Sequence, residues 1–270
     1  SLYHCGLFIP LNENHLPMRS LLLPLFILLT AFNVQSREIE VVVGLDKPPY
    51  VNSASDSGFE VELVRAIISD MGHSAKLLYL PYGRTTKVIN QDAVDIALTL
   101  TPSHAVSPDI LSNPYIAYQN VAVTRLDRNL QIDSIEMLKT MSVVAFQTAT
   151  SVLGKTFEET LSSQPTYLEI AKQKRQVDML MLGSVDVAVM DRNIFSHFKL
   201  HDDRYKNDDV VIHELFPVSS YRAAIPNNEL REAFNHSLSA MIKSGRYQAL
   251  LEKYGLEWSG LENVYNTLSD

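Results

Sequence analysis

Between Ile39 and Met71 the apolar positions change period once. Ile39-Glu-Val-Val-Val-Gly44 is a near-continuous apolar run and predicts a short buried strand. Asp46-Lys-Pro-Pro-Tyr50 breaks the run into a loop that ends in an aromatic. After Gly58, Phe59-Glu-Val-Glu-Leu63 opens a segment whose apolar residues Val64, Ile67, Ile68 and Met71 recur at i, i+3, i+4 and i+7. That spacing lines one face of a helix, which Gly72 closes. Strand, polar and aromatic loop, then helix is the opening unit of an open α/β sheet. In such sheets small ligands sit where loops leave the carboxyl ends of the strands.

The same alternation continues along the chain. Strands are predicted over 74–80, 94–100, 141–146, 167–170, 185–190, 210–215 and 220–225, with one extended segment over 113–124. Helices are predicted over 85–90, 132–139, 152–161, 171–182 and 193–198. Two amphipathic helices follow, one carrying Leu230, Phe234, Leu238, Met241 and Ile242, the other Tyr247, Leu250, Leu251 and Tyr254. Gly245 and Gly255 close them where a left-handed cap is wanted. Residues 38–123 and 125–214 are therefore two blocks built alike, each with a Val-Asp-Ile-Ala-Leu or Val-Asp-Val-Ala-Val strand that ends in polar residues. Two α/β lobes sharing one cleft is the economical arrangement, with the polar strand ends facing each other.

The N-terminus reads as a targeting segment. Met18-Arg-Ser20 supplies a short positive region, Leu21 to Phe32 an apolar core, and Val34 and Ser36 small-residue cleavage positions. This is a secretory signal over 18–36, too short for a comfortable membrane span, and residues 1–17 read as an overextended start. The single cysteine, Cys5, precedes it, so the expected mature chain has no disulfide, thiolate nucleophile or thiolate metal site. Removing the leader takes away one acid (Glu13) and one base (Arg19), and the net charge stays at -8. That balance argues against a nucleic-acid partner.

The candidate chemistry is that of binding. Tyr50, Tyr82 and Tyr118 are placed to wall a cleft and stack on a ligand. Arg84 is suited to fork onto a carboxylate. Thr148, Thr150 and Ser151 lie at a helix start, where hydroxyls and free amides hold anionic groups or simply cap the helix. Asp191 ends a strand, where it pairs with a ligand ammonium or caps the next helix. Glu60 and Glu62 read as decoration of a helix start, their charge suiting the dipole. No G-x-S-x-G, P-loop, H-E-x-x-H or calcium-loop pattern occurs, and His197 and His201 have no third metal ligand placed by spacing. No catalytic residue, cofactor or metal is nominated.

The mature chain resembles, over nearly its whole length, the extracellular solute-binding proteins of bacterial ABC importers, family 3, which includes the polar amino-acid binders. The resemblance is carried by Asp46-Lys-Pro-Pro-Tyr50, Gly58-Phe-Glu-Val-Glu-Leu63, Pro81-Tyr82 with Arg84, Val94-Asp-Ile-Ala-Leu98 with Thr99 and Thr101, and Ser112-Asn-Pro-Tyr115. Gln147-Thr-Ala-Thr150, Val185-Asp-Val-Ala-Val189 with Asp191, and Ser244-Gly-Arg-Tyr-Gln-Ala-Leu-Leu-Glu-Lys-Tyr-Gly255 complete it. It implies a type II two-lobe fold, each lobe a mixed sheet flanked by helices, joined by two crossings that act as a hinge. Lobe 1 is expected over 37–123 plus 217–270 and lobe 2 over 124–216. Tyr50, Tyr82, Thr99, Thr101, Thr150 and Asp191 match family ligand contacts. The arginine that follows the position of Thr101 in the amino-acid binders is missing here, so either Arg84 stands in or the ligand is not an α-amino acid. The implied function is capture of a small polar solute, an amino acid or related carboxylate, by a monomer in the periplasm for an ABC permease in the inner membrane. A solute-sensing receptor subunit and a cell-wall or small-molecule lyase on the same fold are the alternatives.

Overall fold

The computed structural model describes Tyr3 and residues 36–256, so the expected leader, apart from Ser36, lies outside the described residues. Among the described residues, ten strands form two five-stranded mixed sheets. The first has the order Ser74–Leu80 (β2), Glu38–Gly44 (β1), Ile96–Leu100 (β3), Ser219–Ala224 (β10) and Leu111–Tyr118 (β4). The second has the order Tyr167–Ile170 (β7), Val143–Phe146 (β6), Val187–Asp191 (β8), Asn120–Arg125 (β5) and Val210–His213 (β9). Each sheet has three parallel strands, then a strand delivered antiparallel from across the molecule, then an outer strand. This is the type II arrangement of two helix-flanked mixed sheets that the resemblance implied.

The chain crosses between sheets twice. It leaves β4 at Tyr118 and enters β5 at Asn120, and it returns between His213 and Ser219. The extended segment read over 113–124 is thus two strands in different sheets, with Gln119 at the crossing. Periodicity reports that a strand is half buried, not which neighbour it pairs with.

The helices are Phe59–Asp70 (α1), Tyr82–Asn90 (α2), Ala149–Val152 (α3), Lys155–Leu161 (α4), Gln173–Met181 (α5), Arg192–Leu200 (α6), Asn228–Lys243 (α7) and Arg246–Lys253 (α8). α1 buries Phe59, Leu63, Val64, Ile67 and Ile68 in the core of the first sheet. The two C-terminal helices pack on the same lobe. The Tyr247 hydroxyl donates to the Tyr115 carbonyl at 2.9 Å, and the Tyr254 hydroxyl donates to Glu62 at 2.6 Å. The helix expected over 152–161 is divided by Gly154, whose φ of +92° interrupts α-helical geometry, and Val152 is left 42% exposed instead of packed. The segment over 132–139 forms a tighter 3-10 helix, Ile135–Thr140. No helix among the described residues is long and apolar enough to cross a membrane.

α1 has no side-chain N-cap, and its first amides are satisfied by the preceding loop: Phe59 N–H donates to the Pro49 carbonyl and Glu60 N–H to that of Tyr50, each at 3.0 Å. This close approach leaves no room for a side chain at residue 58. Gly58 has φ +123°, and a Cβ there would collide with the Tyr50 carbonyl. Gly58→Ala is expected to lower stability by about 2–3 kcal/mol, measured by urea denaturation. A loss below about 0.5 kcal/mol would show that the loop shifts freely, contrary to this account.

Candidate functional site

The carboxyl ends of β1 and β3 in the first sheet, and of β6, β7 and β8 in the second, carry a set of polar side chains that are largely out of water. Glu60, in the first turn of α1, is fully buried. Its carboxylate pairs with the Lys47 ammonium at 2.7 Å and accepts from the Thr99 hydroxyl at 2.5 Å and from the Tyr115 hydroxyl. Lys47 also donates to Thr99 Oγ1 at 3.0 Å and to the Tyr118 hydroxyl at 2.6 Å, so all three ammonium protons have acceptors. Thr99 adopts the left-handed region, φ +60°, at the end of β3, and its amide donates to the Tyr115 hydroxyl at 2.8 Å. A threonine is strained there, and the three side-chain partners hold it.

Tyr50 bridges the sheets. Its ring is buried against Tyr118, edge to face at 4.5 Å, and Tyr118 meets Tyr221 in the same way at 5.0 Å. The Tyr50 hydroxyl donates to Asp191 Oδ1 at 3.2 Å and accepts from Asn193 Nδ2 at 2.9 Å. Asp191 ends β8 and caps α6, accepting Ile194 N–H at 3.0 Å, and it also accepts Gln119 N–H from the crossing strand at 3.1 Å. Burial pushes its carboxyl up to about 6 despite these hydrogen bonds. Burial likewise raises the Tyr50, Tyr115 and Tyr118 hydroxyls, with Asp191 adding to Tyr50 and Glu60 adding to the other two.

One strand away from Asp191, the turn after β6 holds Thr148 and Thr150. Their donors converge on a carboxylate of the chain itself. Glu169 on β7 accepts Thr148 N–H at 2.7 Å, and Thr150 N–H, the Thr150 hydroxyl and the Tyr167 hydroxyl, each at 2.9 Å. Burial acts to raise the Glu169 carboxyl, but the bonds from Thr150, Tyr167 and Thr148 outweigh it and hold it below the usual carboxylate range. Ser151 is exposed, and its amide donates to the Thr148 carbonyl at 3.0 Å.

The structure therefore brings Tyr50, Thr99, Tyr118 and Asp191 together. Thr101 is half-buried and bonded through its amide and hydroxyl to His104 Nδ1, at 2.9 and 2.8 Å. Arg84 is exposed on the first turn of α2, and the side chain of Tyr82 lies outside the described residues. Glu60, read as surface decoration, is instead the buried centre of the first-lobe cluster. Lys47, Tyr115, Asn193 and Glu169 were not nominated at all. His197 and His201 stack at 4.3 Å on α6, and no group of three metal-ligating side chains occurs among the described residues. A surface groove of about 510 Å³ lined by Arg37, Asp70, His73 and His236 lies at the amino end of β1 and collects none of the nominated residues.

The profile of the bacterial extracellular solute-binding proteins, family 3, matches residues 39–257. The chain belongs to this family. As a family 3 solute-binding protein it shares its fold with solved structures of several kinds. The GluR0 ligand-binding core in complex with L-glutamate is 16% identical, with a TM-score of 0.67 over 82% of this chain and 99% of that one. The arginine-, lysine- and histidine-binding protein ArtJ from Geobacillus stearothermophilus is 19% identical, with a TM-score of 0.66 over 84% and 99%. A histidine kinase sensor domain with similarity to periplasmic binding proteins is 20% identical, with a TM-score of 0.64 over 81% and 96%. No curated protein gives a significant match. The polar groups gathered around Tyr50 come from both sheets.

Two outcomes follow from this geometry. Lys47→Met leaves the Glu60 carboxylate buried without its cation and is expected to cost about 3–5 kcal/mol in urea denaturation, with Lys47→Met/Glu60→Gln recovering part of the loss. Additive losses would mean the pair is not coupled. Asp191 is raised in the folded state above its unfolded value of 3.8, so its contribution to stability falls as pH rises from about 4 to about 6 and is level above that. The difference between wild type and Asp191→Asn is expected to change across that window by up to about 3 kcal/mol. A pH-independent difference would show that Asp191 is not desolvated.

Proposed function

We propose that this protein is a periplasmic solute-binding protein that captures a small polar solute between its two lobes and delivers it to an ABC transporter permease. The solute class this favours is amino acids and related small molecules carrying an amine. The reading is carried by the Tyr50–Asp191 contact, in which a tyrosine from the first lobe meets a buried carboxylate from the second. Closing the lobes brings aromatic walls and an acidic group together. A solute ammonium that replaces the Tyr50 hydroxyl on Asp191 gains a charge-assisted bond in a site screened from water. Binding energy spent there favours the closed arrangement over the open one, which is the signal a transporter reads. Secretion through the segment over 18–36 is part of the same proposal.

Sensing of a solute is the second reading, favoured by the fold shared with a histidine kinase sensor domain. Radiolabelled solute uptake in cells with and without the gene separates the two, because a transport component is needed for uptake and a sensor is not.

Binding itself is tested by thermal denaturation of ligand-stripped protein against amino acids, amines and small carboxylates. A solute present at about 100 times its Kd is expected to add about 2.7 kcal/mol and raise the midpoint by several degrees. Asp191→Ala is expected to abolish the shift. An unchanged shift in Asp191→Ala would remove Asp191 from the site.

A further inference from the structure

Three donors at the start of α3 in the second lobe are taken up by the protein itself. The Thr148 amide, the Thr150 amide and the Thr150 hydroxyl all point at one carboxylate, and that carboxylate is Glu169. A fourth bond from Tyr167 fixes the Glu169 side chain from its own strand. Three of the four bonds fall on Oε1 and one on Oε2, so Oε2 keeps one acceptor site. Hydrogen bonding keeps the group charged by holding its carboxyl below the usual range.

The cradle belongs to the same strand-end surface as Asp191. β6 lies between β7 and β8, with Ala145 paired to Glu169 on one side and to Val189 on the other. Two strand spacings across the sheet and two residues along β8 put Glu169 roughly 12 Å from Asp191 at the carboxyl edge. That separation is the scale of a small solute, so a molecule seated on Asp191 extends toward Glu169.

We propose that Glu169 is a specificity-determining residue that reserves the Thr148–Thr150 donors for the protein's own carboxylate and so selects solutes whose group at that end is neutral or cationic. The inference rests on the solute-binding reading and narrows it. A solute carboxylate entering the cradle must displace Glu169 from four hydrogen bonds or lie against it as a like charge, and both are costly. An amide, amine or guanidine meets an acceptor there instead. The first lobe adds nothing to offset the cost, since the Lys47 ammonium already has three acceptors and Arg84 is exposed on α2.

Two measurements test this. The first is thermal denaturation of wild type and Glu169→Ala in sodium acetate against sodium chloride of equal ionic strength. Acetate is expected to raise the Glu169→Ala midpoint saturably by about 3 °C and to leave wild type unmoved. Equal responses of the two proteins would overturn the proposal. The second compares L-arginine with L-argininamide on wild type and on Glu169→Gln, which keeps the side-chain shape if the alanine variant does not fold. Wild type is expected to bind the amide at least about tenfold more tightly than the acid, and Glu169→Gln to lose that preference. Preference of wild type for the acid would also overturn the proposal. If wild type answers neither compound while Glu169→Ala answers acetate, the role of Glu169 stands and the amine-bearing solute class of the preceding reading fails.

Discussion

A carboxylate with no access to water has to find its partners inside the protein, and Glu60 is the point on which the first lobe depends. Its four partners come from three places: Lys47 in the loop after β1, Thr99 at the end of β3, and Tyr115 and Tyr118 on β4. Satisfying one buried charge therefore fixes two strands and a loop relative to α1. The left-handed backbone of Thr99 is a local strain that this arrangement maintains.

The second lobe solves the same problem differently. Asp191 is satisfied partly by its own lobe, through Ile194, and partly from outside it, through Tyr50 and the crossing residue Gln119. In the proposed opening of the lobes its partners change, whereas those of Glu60 do not. On that asymmetry we read the first cluster as architecture and propose the second for recognition. Glu169 stands between these cases, since its hydrogen-bond partners lie within its own lobe but it lies on the strand-end surface that a solute would touch.

Much of this was legible in the sequence, because the sheet-and-helix pattern follows from apolar periodicity. Tyr50, Tyr118 and Asp191 were nominated from their places at strand ends and Thr99 from the family resemblance, and the structure gathers them. What escaped was partnership. Glu60 shares a helical face with Val64 and Ile67, while Glu62 lies off that face, so the period already separated a buried acid from a half-buried one. The helix-start argument, that acids there suit the dipole, hid the distinction. Lys47 and Glu169 carried little local signal, since their partners other than Tyr167 are 13 or more residues away and meet only after the sheets form. The crossing at Gln119 was invisible for a similar reason, because β4 and β5 read as one extended segment and differ only in which sheet accepts them.

The central claim is that the Tyr50 hydroxyl, through Asp191 and Asn193, is the contact that holds the two lobes closed. The most direct test is an electron-spin distance measurement between labels introduced at Lys76 on β2 and Leu168 on β7, on a chain beginning at Ser36, which contains no native cysteine. The account predicts a narrow distribution for wild type, and for Tyr50→Phe combined with Asn193→Ala a population shifted to longer distances. Identical distributions for the two proteins would contradict it.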